Sequence, residues 1–331
     1  MFQGGFDGVN IFDAEKADLS GVASLREAND EKESKVYTGP TVVAYQKACD
    51  VLADKSAVEL QVLALPGQRA SAVTNYAMTA CEERFDALYV MDIEEKDAGG
   101  ELIESDDYKP HVANTIAHFS DRLLDSSFGA AYFPDLAVRR TSDNSAKVVP
   151  PSVGVLGVIS RNDRIKAPWF APAGLNRGRV NSPGVKLQMN RDLLNDLYDA
   201  DVNPIYEPAG RAGEVYVFGQ KTLLQGESAL DRINVRRLLI DIRRKVKAIG
   251  ESLLFEPNRE STLAKFSALV EPIMQDVQKR QGVARYKVQI DSSTTTQNDI
   301  ENNTVRGKIY LQPLKSIEFI SLDFVVTNTI E

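Results

Sequence analysis

From residue 39 the apolar positions of the chain fall into two alternating periods. Residues 41–52 carry apolar side chains at helical spacing, and residues 58–65 read as a strand stopped by Pro66 and Gly67. A second helical stretch covers 71–85, followed by a short buried-strand run at 87–91. The order then repeats. Pro110 stands before a helical period over 111–124, residues 128–133 form another short apolar run, and Pro150-Pro151 opens a helix over 152–161. Gly154 and Gly157 on that helix allow close approach to a sheet. A short helix over 191–198 and strands over 203–206 and 214–218 follow, with 222–232 as a connector. Helix-then-strand repetition predicts an α/β sandwich with at least partly parallel strands. Residues 15–38, polar and charged, predict a loop with little regular structure. Residues 92–109, acidic around Gly99-Gly100, predict a surface loop.

The pattern changes character at residue 233. Val235, Leu238, Leu239, Ile242, Val246, Ile249 and Leu253 make one stripe at three-four spacing over 234–254, the clearest helix in the chain. Arg236, Arg237, Arg243, Arg244, Lys245 and Lys247 occupy its other faces. A second helix carries Leu263, Phe266, Leu269 and Val270, a kink at Pro272, then Ile273, Met274 and Val277. Residues 284–290 and 305–311 alternate as strands, and the polar run 292–303 predicts a flexible loop. Between Phe319 and Ile320 the apolar parity switches, so a strand over 317–326 presents apolar side chains on both faces. Such a strand needs covering on two sides or a partner strand. Pro313 suits a break or an edge. The pattern alone leaves two readings open, a strand-sharing joint between subunits or an ordinary closing hairpin. The chain therefore divides into an α/β sandwich domain at 1–232 and a smaller α+β domain at 233–331, two helices with a small β-sheet.

Charge sharpens this division. The net charge is −8. Residues 234–331 hold 15 Lys/Arg against 12 Asp/Glu, +3, and the preceding residues hold 24 against 35, −11. An acidic body with a basic end module suits docking on acidic partners, its own copies included. The basic helix lacks interleaved aromatics and the whole chain is acidic, which argues against nucleic acid. No apolar run is long enough to span a bilayer. Cys49 and Cys81 form no CxxC and read as buried, reduced side chains.

The search for chemistry is thin. There is no GxxxxGK[ST], GxSxG, HExxH or DxDxDG, and Gly4, Gly5 and Gly8 do not follow a strand. His111 and His118 lie on one presumed helix without evident co-ligands for a metal. Asp92, Glu94 and Glu95 follow a strand, as catalytic acids do at the carboxyl edge of some α/β sheets, but read first as a solvated acidic loop. Asn302-Asn303-Thr304 matches a glycosylation sequon without an export signal. Trp169 and Phe170, between prolines and glycines, fit either an exposed inter-subunit loop or a buried plug. No cofactor or catalytic residue is expected; an α/β enzyme of unknown type and a monomeric scaffold remain as alternatives.

Several stretches resemble the contractile tail sheath proteins of bacteriophages, a family shared with R-type bacteriocin sheaths. They are GGFDG at 4–8, PWFAPAGLNRGRV at 168–180, NPIYEPAGRAGEVYVFGQKTL at 203–223, INVRRLLIDIRRKVKAIGESLLFEPN at 233–258 and VRGKIYLQPLKSIEFISLDFVVT at 305–327. Their order and spread cover nearly the whole chain. The resemblance implies a non-enzymatic, mechanical subunit of the virion, assembled in the host cytoplasm as stacked, hexameric rings around a tail tube. It implies tube, baseplate and tail terminator proteins as partners, with no membrane and no nucleic acid; a bacteriocin or related injection machine is the neighbouring reading. Sheath chains begin with an N-terminal arm that is not found ahead of Gly4, so an N-terminally truncated, monomeric fragment is expected.

Strand exchange between neighbours is part of what the resemblance implies. The subunit-linking positions would be Tyr286, Val288, Ile309, Leu311, Ile317, Phe319, Ile320, Leu322, Phe324 and Val326. Arg236, Arg237, Arg243, Arg244, Lys245, Lys247 and, on the next helix, Lys265 would include the residues that face the tube or a neighbouring subunit.

Overall fold

The computed structural model describes residues 21–30, 37–103, 108–139, 145–257, 259–291, 293–302, 304–316 and 318. The chain divides into two compact units, Met1–Ala248 and Ile249–Glu331. The pattern of the sequence places the boundary at 232/233, at the start of a helix; the compact units divide inside that helix. The reason is burial. Helix α8 spans Ile233–Ser252, and its first ten residues are all buried except Leu239, so they belong to the core of the first unit.

That unit is built on a five-stranded sheet. Strands β1 (Val62–Ala64), β2 (Leu88–Asp92), β3 (Gly129–Phe133) and β7 (Val202–Tyr206) run parallel in that order, and β8 (Tyr216–Val217) closes the edge antiparallel. Every residue of β2 and β3 is buried. Both faces of the sheet must then be covered, and alternate side chains divide between two cores. Tyr89, Met91, Ala131 and Phe133 meet α3 (Ser71–Arg84), α4 (Val112–Ser120) and α7 (Arg191–Asp199) through Ala77, Met78, Cys81, Phe119 and Leu197. Leu88, Val90, Ala130 and Tyr132 meet α5 (Pro151–Ile165) and α8 through Val155, Val158, Ile159, Ile233 and Ile240. The result is the three-layer sandwich that the helix-strand rhythm predicts. Cys49 and Cys81 are buried free thiols, pushed up to about 11 and about 12 by burial.

Gly154 does what its position on α5 suggests. A methyl group there would stand 2.4 Å from Leu136 Cδ1 and 2.7 Å from Val180 Cγ1. Gly157 faces open space, so the close approach rests on one glycine.

The structure departs from or adds to the sequence pattern in three places. Residues 15–38 are not loop throughout, because Gly21–Asp30 forms helix α1, which packs on α2 (Pro40–Ala53). α2 begins at Pro40 behind Gly39, which has no capping side chain. Glu27 of α1 supplies the cap. Its carboxylate accepts from Thr41 N at 2.9 Å, Val42 N at 2.9 Å and Thr41 Oγ1 at 2.6 Å. Ser24 Oγ donates to Gln68 Oε1 at 2.6 Å, joining α1 to the loop after β1. Secondly, β4 (Leu136–Arg139), β5 (Ala146–Val149) and β6 (Gly184–Val185) form a small antiparallel sheet that the apolar pattern does not reveal. Arg139 and Lys147 interrupt β4 and β5, and β6 has only two residues, so no apolar run or clean alternation shows. Thirdly, the run 292–303 contains α10 (Gln297–Glu301). Asp299 pins it, accepting from Thr296 N at 3.0 Å and pairing with Arg306 Nε at 2.6 Å.

The second unit holds α9 (Glu260–Lys279), with Pro272 inside it, and the antiparallel pair β9 (Val283–Gln289) and β10 (Lys308–Pro313). Leu263, Val270, Met274, Val277, Val283 and Ile290 are buried.

Candidate assembly interface

The β9–β10 pair brings four of the expected linking residues together. Ile309 lies opposite Val288 and Leu311 opposite Tyr286, as two cross-strand pairs. This face is half-buried and turned toward α9, where Tyr286 Oη donates to Glu271 Oε1 at 2.6 Å. The register shifts between Gln312 and Pro313, a bulge at the point where the ring removes a donor. Among the described residues neither strand has a second neighbour, so the two outer edges keep backbone N–H and C=O groups available for further strands. A groove of about 500 Å³ runs along the outer edge of β9, lined by Glu271, Gln278, Arg285, Tyr286, Lys287 and Val288. Gln278 Nε2 reaches the Ala284 carbonyl there at 3.0 Å. Ile317, Phe319, Ile320, Leu322, Phe324 and Val326 lie outside the described residues.

The basic residues of α8 separate by burial. Arg236 and Arg237 do not face outward, and this corrects the expectation that they front a partner. Arg236 is buried, its guanidinium 4.0 Å above the Phe128 ring and bonded to Ser127 Oγ. Burial pulls it down to about 10. Arg237, 3% exposed, holds Asp163 through two bonds of 2.9 and 2.5 Å. The helix is surrounded here, so residues off the apolar stripe are enclosed as well. Arg243 and Arg244 are exposed, the first over the Phe85 ring at 5.1 Å and the second 3.2 Å from Glu59. Lys245 bonds Asp241 at 2.7 Å and lies over Trp169 at 5.7 Å. Lys247 is exposed, as is Lys265 on α9. Trp169 itself is 4% exposed, which decides for the buried plug.

The acids after β2 are not a solvated loop. Asp92, Glu94 and Glu95 are all buried at the carboxyl end of the sheet. Asp92 accepts from Gly67 N at 3.0 Å, Ser152 N at 2.8 Å and Ser152 Oγ at 2.7 Å, tying the ends of β1 and β2 to the start of α5. Burial raises its carboxyl, and the bonds from Ser152 and Gly67 offset this only in part. Glu94 meets His118 Nε2 at 2.5 Å and Ser71 N at 2.9 Å. Burial works against its charge, yet His118 and the Arg122 charge hold it below the usual range. Glu95 and Asp135 face Arg69 and Lys186. Arg69 lies 2.5 Å from Asp135 and 3.3 Å from Glu95, and Lys186 lies 3.3 Å from Glu95. Burial pushes Asp135 up to about 6 against the pull of Arg69 and Lys186. These four border a cavity of about 190 Å³ with Gly21, Gly67 and Pro150. Two cations and two carboxylates cancel, and the arrangement fastens four loops to one another. His111 caps α4, its Nδ1 accepting from Asn114 N at 3.3 Å, and among the described residues no group of His, Cys, Asp and Glu could hold a metal.

The fold is shared with solved chains of contractile sheath assemblies. In a contracted sheath complex of an extracellular contractile injection system, PVC, 79% of the solved chain matches 86% of this one, with TM-score 0.66 and 20% identity. A chain of the anti-feeding prophage baseplate matches over 86% of this chain and 73% of its own, with TM-score 0.67 and 20% identity. Residues 226–327 match the phage tail sheath C-terminal domain. The tail sheath protein of Vibrio phage KVP40 is 34% identical over 183 residues, 55% of this chain. Residues 226–327 thus carry the likeness to the sheath C-terminal domain, the solved sheath chains share the fold, and the chain spans 27% of the length of that curated relative.

Proposed function

We propose that the chain is a structural subunit of a contractile tail sheath, which polymerises as stacked rings around a tail tube and contracts to drive the tube through a cell envelope. The observation that carries this reading is the open-edged β9–β10 hairpin inside the matched sheath domain. Strand addition to such edges links copies through main-chain hydrogen bonds, with alternating side chains setting the register. A link of this kind is head-to-tail and does not close on itself, so it builds a helix. Tyr286, Val288, Ile309 and Leu311 are the receiving positions, and residues 317–330 are the candidate donor. Arg243, Arg244, Lys247 and Lys265, which are exposed, are the candidates for facing the tube or a neighbour. The work of contraction comes from packing, with no catalytic step and no cofactor. The partners are further sheath subunits, the tube, the baseplate and the terminator, in a virion assembled in the host cytoplasm.

A related injection machine is the second reading, favoured by the fold shared with the PVC sheath. Electron microscopy of the chain co-expressed with a tube protein tests both. Striated tubular assemblies are expected; smooth, undecorated tubes would overturn the proposal.

A further inference from the structure

The β9–β10 sheet has a second face, turned away from α9. There Tyr310 lies opposite Lys287, Lys308 opposite Gln289 and Gln312 opposite Arg285. Arg285, Lys287, Lys308, Tyr310 and Gln312 are exposed, Tyr310 at 51%. These three pairs hold three cations around one aromatic ring and no carboxylate. The acid at the end of β9, Asp291, is engaged by Ser293, whose backbone N–H donates to it at 2.8 Å; the Ser293 bonds, with a smaller pull from Lys287, hold its carboxyl low.

The first unit carries the complementary pattern. Asp192, Asp196 and Asp199 recur at i, i+4 and i+7 along α7, and all three are exposed. Leu193 and Leu197 of the same helix pack into the core, so the aspartates form its outward stripe. None of the three has an ion-pair partner among the described residues. Asp125 and Asp201 extend the acidic surface past the helix end, bridged by Gln225, which donates to Asp125 at 3.0 Å and to Asp201 at 3.3 Å. Only Asp201 is matched by a cation, Lys221 at 3.0 Å. The spacings agree. Arg285 and Lys287, two residues apart on a strand, stand about 7 Å from each other. Asp192 and Asp196, one helical turn apart, stand about 6 Å from each other.

We propose that the outward face of the β9–β10 hairpin docks on the α7 acidic stripe of a second copy of this chain. Arg285 and Lys287 face Asp192 and Asp196, Lys308 reaches Asp199, and Tyr310 supplies the apolar centre. This rests on the self-association proposed above, but it uses the face of the sheet and not its edges. The face contact is therefore compatible with strands added on either side. It joins unlike surfaces, so it propagates, and being exposed it is screened by salt and strengthens encounter more than holding.

Carbodiimide coupling, which joins lysine amines to carboxylates in direct contact, tests it on an equal mixture of unlabelled and isotope-labelled full chain. Mixed-isotope links from Lys287 or Lys308 to Asp192, Asp196 or Asp199 are expected at low salt, falling at least about fivefold at high salt. In sedimentation, K287E/K308E and D192K/D196K should each lose the salt-sensitive association, and mixing the two variants should restore it. If copies associate but these lysines link only within one chain or to other carboxylates, the docking is wrong while self-association stands. If the wild-type chain does not associate at any salt concentration, the docking fails, while the sheath reading stands or falls on the assemblies formed with a tube protein. Capture of duplex DNA through Lys287 and Lys308, with α7 uninvolved, would replace the docking with a nucleic-acid face.

Discussion

Asp92 has both carboxylate oxygens bonded and no access to water. Replacing Ser152 with Ala removes one donor while leaving the backbone N–H, and should cost about 1–3 kcal/mol in urea unfolding. Asp135 gives a pH signature. Its carboxyl titrates near 6 in the fold and near 4 in the unfolded chain, so the folded state takes up the proton first. This contribution to stability is present in full below about 4 and is lost as pH rises through about 6. The melting temperature of the wild type relative to Asp135→Asn should therefore increase as pH falls from 7 to 5 and stay level above 7. A difference that shrinks on acidification would exclude Asp135 as the titrating group. Trp169, enclosed beneath Lys245, should show little iodide quenching.

At the scale of elements, α5 offers a paired test. Gly154→Ala should destabilise by about 1–3 kcal/mol because Leu136 and Val180 leave its methyl no room. Gly157→Ala meets nothing and should stabilise by up to about 1 kcal/mol through helix propensity. The parallel strands were legible in the sequence as short continuous apolar runs, and their helices because each runs long enough for its period to show. Residues 136–139 and 146–149 were not, since Arg139 and Lys147 break their apolar runs and no clean alternation replaces them. The buried acids were misread for a different reason. Asp92, Glu94 and Glu95 look solvated beside their own neighbours, and their partners come from elsewhere in the chain, Arg69 and Lys186 from loops and Ser71, His118 and Ser152 from helices. On α8, periodicity located the helix but not the depth to which its first half is enclosed. Arg236→Ala should cost about 2 kcal/mol and Arg243→Ala only about 0.5–1 kcal/mol, the difference between a buried and an exposed cation over a ring.

For the whole molecule, the division of charge matters more than the net value. Reversing Arg243, Arg244 and Lys247 together should lower the melting temperature only modestly, because all three are exposed and the losses are one ring contact and one surface ion pair. If these residues face a tail tube as proposed, co-sedimentation with tail tubes at low salt should fall sharply. Unchanged binding would remove these residues from the tube-facing surface and leave the hairpin to carry recognition.

The bond between Ser24 and Gln68 sets a route for mechanical load. Gln68 follows Gly67, whose N–H is held by Asp92 at the end of the central strand β2, and Asp92 is held in turn by Ser152 at the head of α5. Tension applied at the N-terminal end of α1 reaches the middle of the sandwich within its first turn, ahead of the Glu27 clasp on α2. The clasp is loaded only after Ser24 lets go, so α1 should detach under force in two steps, the second held by the several bonds of one carboxylate.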